Sequence, residues 1–276
     1  DVTGRWAVTF TDDDGDISPA IGEFAQDEGQ LTGTFLTPLG DYRYLAGEVD
    51  GDVMYLSTFD GAHAYLFRAT LDADGTLNGD WWSGTEWHSR WKARRDENAA
   101  LPDPGSLTFL KPGYDAFTFA FPDERGELVS LEDPRFRNKV VVVTLAGSWC
   151  PNCHDEASWL AAYYREHRDE GVEVVCLMYE HFEDFDAAAT QVRHFREKFG
   201  IEYTTLIAGV SSKDEASKTL PMLNRVLAFP TTIVVDRRGE VRRIHTGFAG
   251  PGTGEHFEVW EREFEALLAR LLAESA

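Results

Sequence analysis

Residues 140–160, VVVVTLAGSWCPNCHDEASWL, decide how the second half of this chain folds. The run Val140–Leu145 is continuously apolar, as expected of a strand covered on both faces. Gly147 and Ser148 break it, and from about Pro151 to His167 the pattern turns helical, with Gly171 just beyond. Cys150 and Cys153 stand where that helix begins. A sulfur at a helix N-terminus meets free backbone N–H groups and the positive end of the helix dipole, and both stabilise a thiolate. Cys153, three residues on and on the same face, is placed to attack a mixed disulfide formed at Cys150. The pattern therefore points to two-electron thiol–disulfide exchange, chemistry that needs no bound cofactor beyond the Cys150–Cys153 redox pair itself.

Working outward, strands and helices alternate. A hairpin, Phe117–Phe121 with Glu127–Leu131, precedes the buried strand, and a strand at Val172–Tyr179 follows the helix. Ala188, Val192, Phe195 and Phe199 line one face of a helix over about Asp184–Phe199, which stops at Gly200. The spacing then predicts a strand at Tyr203–Ala208, a helix at Asp214–Val226 perturbed by Pro221, and strands at Thr231–Val235 and Val241–Thr246. A last helix over about Gly254–Leu272 puts Phe257, Trp260, Phe264, Leu267 and Leu271 on one face. This order describes an α/β sandwich whose sheet ends in one antiparallel hairpin.

Before it, the pattern is different. Eight short strands (Arg5–Thr11, Ile17–Phe24, Leu31–Leu36, Tyr42–Val49, Val53–Phe59, His63–Ala69, Leu77–Trp82 and Trp87–Ala93) alternate with Asp-Gly-rich turns. Short connections between about eight antiparallel strands suit an all-β barrel that closes its own edges. Its opening Gly4-Arg5-Trp6 resembles the start of lipocalin-like barrels. The polar, proline-bearing stretch from Glu97 marks a linker. The expected organisation is a barrel domain at 1–96, a linker at 97–108 and the α/β domain at 109–276.

From about Phe117 to Leu272 the chain resembles the TlpA/ResA-like family of thiol–disulfide oxidoreductases, which have a thioredoxin-like fold. The resemblance rests on the hairpin before the buried strand, on Trp149-Cys150-x-x-Cys153 with Glu156 three residues on, and on Ala228-Phe229-Pro230-Thr231-Thr232 followed by the Asp236–Gly239 turn. It implies a protein disulfide reductase in which Cys150 attacks, Cys153 resolves and Glu156 moves the proton. It also implies that Trp149, Phe229, Pro230 and Thr231 receive the substrate, with a cis proline and the Phe229 backbone pairing with an extended segment. The partners implied are a disulfide-bonded or thiol protein and an upstream thiol electron donor. The setting implied is bacterial and extracytoplasmic, periplasmic or membrane-anchored through a removed N-terminal signal; the sequence as given opens on Asp1. Two departures stand out. Proline usually precedes the second cysteine, where Asn152 stands here, and Thr144 occupies the place of thioredoxin's buried aspartate.

Composition narrows the alternatives. Asp and Glu total 48 against 26 Lys and Arg, a net charge of −22. Such a polyanion repels nucleic acid and anionic lipid. No apolar run is long enough for a transmembrane helix. A structural zinc would need two more ligands at suitable spacing beyond the single C-x-x-C, so no metal site is expected. A copper carrier would want one more residue between the cysteines, although His181, His245 and His256 are available. Val143 and Gly147 stand where a peroxidase needs Pro and Thr or Ser. Cys176, inside an apolar strand, reads as an inert buried thiol. The alternative to an enzyme is a redox-sensitive binding or copper-carrier module with the barrel as its ligand-binding part. In that reading Asp60–His63 and Trp81-Trp82 line a cavity; a packed aromatic core is the simpler expectation. The glycine-rich stretch His245–His256 lacks a P-loop lysine and reads as a wide loop beside the active-site face.

Overall fold

The computed structural model describes residues 1–274. The chain divides into two compact units, Asp1–Pro102 with Ala249–Glu258, and Asp103–Phe248 with the stretch from Val259. The division falls inside the stretch read as a linker, but 249–258 groups with the first unit, whereas the sequence reading kept all of 109–276 together. The reason is local bonding. Gly250 donates its N–H to Asp41 at 3.0 Å, Gly252 packs on the Arg43 backbone, and His256 meets Glu23 at 2.9 Å.

The first unit is an antiparallel barrel of β1 (Gly4–Asp12), β2 (Ile17–Asp27), β3 (Gln30–Thr37), β4 (Gly40–Asp41), β5 (Leu45–Asp50), β6 (Val53–Phe59), β7 (Ala64–Leu71), β8 (Thr76–Ser83) and β9 (Trp87–Arg95). The order β2-β1-β9-β8-β7-β6-β5-β3, with β2 also paired to β3, closes a ring of eight strands, and two-residue β4 hangs on β3. Closure removes the free edges that an open sheet would expose. Alternation along β1 sends Trp6, Val8 and Phe10 inward and Ala7 and Thr9 outward.

The barrel interior is filled by side chains. Phe35 and Phe67 stack at 4.5 Å, with Trp91, Phe24 and Phe10 packed on Phe35 at 5.2–5.5 Å. Trp81 lies against Phe10, Tyr42 and Phe67. The Asp60 carboxylate is spent on its own turn, accepting from Ala62 and His63. The aromatic side chains build a packed core, and Phe10, Tyr42 and Trp81 also line a pocket of about 390 Å³ with Trp87, which Asp60–His63 do not line.

The second unit begins with a small hairpin, β10 (Ala120–Pro122) and β11 (Leu128–Ser130), shorter than the sequence suggested. A five-stranded sheet follows, made of β12 (Val140–Ala146), β13 (Val172–Glu180), β14 (Thr204–Val210), β15 (Thr231–Val235) and β16 (Val241–Thr246) in the order β14-β13-β12-β15-β16. β12 runs parallel to β13 and antiparallel to β15. It is buried at every residue, which accounts for its unbroken apolar run. The helices are α1 (Pro151–His167), α2 (Phe185–Phe199), α3 (Lys213–Thr219) and, from Val259 on, α4 (Glu255–Ala273). This is a thioredoxin-like α/β fold. Trp159 of α1 packs on Trp260 and Phe264 of α4 at 5.0 and 5.5 Å.

One helix differs from expectation: α3 ends at Thr219 instead of running to Val226. Pro221 lacks an N–H and its ring disfavours a helical residue before it, and Leu220 accordingly leaves the helix at φ −123°, ψ 67°. The residues after it serve another purpose, with the Asn224 side chain accepting from Phe109 N–H and donating to Leu107 C=O.

Candidate active site

Cys150 and Cys153 form a disulfide, with Cα atoms 5.2 Å apart. Cys150 is the N-cap of α1, its sulfur 3.2 Å from the Cys153 N–H, and Pro151 takes the first helical position, where a missing N–H costs nothing. Both sulfurs belong to buried residues, 4% exposed at Cys150 and 1% at Cys153. Across from them, the Phe229–Pro230 peptide is cis, and the Phe229 carbonyl oxygen lies 3.4 Å from Cys150 Sγ. The Phe229 ring meets Trp149 edge-on at 5.8 Å, and Thr231 is buried at the start of β15.

One turn further along α1, Glu156 points into the protein and is 2% exposed. Thr144 of β12 and Thr232 of β15 are cross-strand partners, and each donates its hydroxyl to one oxygen of that carboxyl, Thr144 at 2.5 Å. Burial pushes the Glu156 carboxyl up to about 7, and the two threonine bonds pull the other way without cancelling it. A buried acid poised near neutrality is suited to exchanging a proton. Thr144 therefore has a role of its own: where thioredoxin has an acid on the strand, this chain has the acid on the helix and a donor on the strand.

The sequence brought out Cys150, Cys153, Glu156, Trp149, Phe229, Pro230 and Thr231; the fold sets the Phe229 carbonyl of the cis Phe229–Pro230 segment against Cys150 and the Phe229 ring against Trp149, while Glu156 is bonded to Thr144 and Thr232 and Thr231 to Ala228. It did not bring out what holds the loop. Trp149 donates its indole N–H to Tyr179 C=O at 2.8 Å and stacks on His181 at 4.9 Å. Gly147 is required here, since a Cβ would collide with the Trp149 indole and stand 2.8 Å from the Tyr179 oxygen. Ser148 is held by Glu180 and His154. Asn152 donates to Phe248 C=O at 3.3 Å, which places the start of the glycine-rich stretch beside the dithiol. Residues 249–258 group with the first unit, where His256 pairs with Glu23 and Arg5 and the Thr253 hydroxyl donates to Gly250 C=O. Cys176 is a buried free thiol on β13, raised well above the ordinary thiol range by desolvation and by the nearby carboxyls of Glu156 and Glu180.

The strand, loop and helix supply the mount and the paired cysteines the chemistry of a thioredoxin-like thiol–disulfide oxidoreductase domain. Comparison with known proteins agrees. Residues 112–244 match the AhpC/TSA family. The thiol-disulfide oxidoreductase ResA of Geobacillus kaustophilus is 29% identical over 140 residues, spanning 51% of this chain and 72% of that protein. ResA of Halalkalibacterium halodurans is 26% identical over 140 residues, with 51% and 71% covered. Among solved structures, a thioredoxin-family thiol:disulfide interchange protein of Chlorobium tepidum covers 63% of this chain and 99% of its own at 18% identity, with a TM-score of 0.43. The second unit is a thioredoxin-like domain with ResA homologues, and the same chain holds an eight-stranded barrel. The carrier reading gains nothing from these relatives. Among the described residues no three His, Cys, Asp or Glu side chains come together as metal ligands, and no helix is long and apolar enough to cross a membrane.

Proposed function

We propose that this oxidoreductase works as a TlpA-like protein disulfide reductase. The observation that carries the reading is the Cys150–Cys153 disulfide at the start of α1, with a buried carboxyl of neutral proton affinity one turn further along the helix. In the reduced enzyme the Cys150 thiolate attacks one sulfur of a substrate disulfide. A Cys150–substrate disulfide forms, and the other substrate sulfur leaves as a thiolate and takes up a proton. Cys153 then gives its proton to the Glu156 carboxylate and attacks the Cys150 sulfur. The substrate leaves as a second thiolate, the Cys150–Cys153 disulfide is restored, and two electrons have passed to the substrate. An upstream thiol donor must return them, so the cycle calls for no bound cofactor.

In this reading Trp149 and the Phe229-Pro230-Thr231 segment receive the substrate, with the Phe229 backbone pairing with an extended substrate segment. The ResA likeness supports a bacterial, extracytoplasmic setting. The test is turnover of insulin disulfides with dithiothreitol as donor. Cys150→Ser should abolish turnover; turnover that persists in this variant overturns the mechanism. The reduction potential of the pair fixes direction: a value toward the thioredoxin end, about −270 mV, supports a reductase, and one near −120 mV an oxidant.

A further inference from the structure

We propose that Glu180 is a positioning residue of the exchange reaction: by holding Ser148 at two points it fixes the loop that aims Cys150. This rests on Cys150 being the attacking thiol.

Glu180 closes β13 and is 1% exposed. One carboxyl oxygen accepts the Ser148 backbone N–H at 2.9 Å, and the other accepts the Ser148 hydroxyl at 2.6 Å. The third polar atom of Ser148, its carbonyl oxygen, lies 2.7 Å from Nε2 of His154, the residue after the second cysteine. Every polar atom of Ser148 is therefore bonded, two of them by one carboxylate. Ser148 is two residues before Cys150, and the residue between them, Trp149, is fixed by the Tyr179 carbonyl next to Glu180. The end of β13 thus grips the loop immediately ahead of the nucleophile.

A stability role alone does not explain this side chain. Desolvating a carboxylate costs several kcal/mol, and an apolar residue of similar volume often serves a core as well or better. Burial indeed raises the proton affinity of Glu180, against the lowering effect of the Ser148 bonds and of His181. What the carboxylate adds is geometry: two charge-assisted bonds converging on one loop residue. The consequence at Cys150 is specific. Its sulfur stands 3.2 Å from the Cys153 N–H, the contact that stabilises a thiolate there, and it keeps this place only while the preceding loop is held. Displacements of about 1 Å in such supports can cost up to roughly a hundredfold in rate.

The test is the pH profile of iodoacetamide alkylation of Cys150 in the reduced full-length protein, compared for wild type, Glu180→Ala, Glu180→Gln and Ser148→Ala. Glutamine keeps the shape without the charge: its amide oxygen can accept the Ser148 N–H, and its NH2 can donate to the Ser148 hydroxyl oxygen. The proposal predicts that Glu180→Ala moves the profile to higher pH and slows alkylation at pH 7 about fivefold. Glu180→Gln should stay close to wild type, and Ser148→Ala, which loses one bond, should fall between. If Glu180 acted through its charge on Cys150, removing that charge would move Ala and Gln alike to lower pH. If it only stabilised the fold, the thermal midpoint would drop with no movement of the profile. Either result overturns the proposal, and the Gln and Ser148 variants decide it should the Ala variant fail to fold. Loss of insulin turnover in Cys150→Ser is read separately, so failure of the mechanism and failure of the clamp are distinguishable.

Discussion

The two units bury different things, and the contrast locates the chemistry. The barrel core is aromatic and aliphatic, built from residues such as Trp6, Phe35, Phe67, Leu77 and Trp91. In the thioredoxin-like unit two glutamates are buried, Glu156 on the helix that opens at the dithiol and Glu180 bonded to Ser148 in the loop before it, and every oxygen of both is bonded. Hydrophobic burial alone would favour filling both interiors in the same way. A fold keeps desolvated carboxylates where their proton affinity or their geometry is used. The barrel is packed for stability, and the second unit gives up some stability for reactivity.

That contrast can be broken at several points. The largest effect on stability is expected in the barrel. Phe35→Ala removes a ring packed on five aromatic neighbours, Phe10, Phe24, Tyr42, Phe67 and Trp91, and should cost about 4 kcal/mol by urea unfolding. Exchange per folded molecule should be unchanged; a matching fall in rate would show that the units are not separable in this way.

Glu156 is expected to affect both stability and rate. Its folded proton affinity, about 7, lies above its ordinary 4.5. The folded protein therefore holds the proton more tightly than the unfolded chain. The stability this contributes is complete below 4.5 and is lost as pH rises through about 7, a total of roughly 3 kcal/mol. Glu156→Gln should flatten that fall in urea titrations at pH 5 and pH 8. The same variant should slow resolution of the mixed disulfide about a hundredfold and remove the rate inflection near neutral pH.

Smaller still is Thr232→Val, which deletes one of the two bonds to Glu156 and should move that inflection upward, with the rate at pH 7 falling several-fold. At the far end, the exposed Lys218–Glu215 pair on α3 should matter little: Lys218→Ala is expected to leave both the unfolding midpoint and the exchange rate unchanged.

Much of this was legible in the residues. The apolar run of β12, the helix that opens on the cysteines, and the alternation around Asp-Gly turns in the barrel are local signals that tertiary packing reinforces. Pro221 was recognised as a perturbation, but ending α3 two residues before it required the restriction a proline places on its predecessor. The site was legible where a motif is contiguous, as in Trp149–Cys153, or where a family pattern marks distant residues, as in Phe229–Thr231. Glu180, Ser148 and His154 were not. Nothing in MYEHF distinguishes a buried carboxylate from a solvated strand end, because the difference lies in a loop 32 residues away. Thr144 and Thr232 were likewise silent until β12 and β15 were paired. Pairwise polar contacts across a sheet leave no periodic trace in sequence.

The most direct test of the central claim is covalent trapping. Reduced Cys153→Ser protein, given a disulfide-bonded peptide, should accumulate one mixed disulfide, located by peptide mass spectrometry at Cys150. An adduct at Cys176, or none while wild type still turns over, would contradict the account.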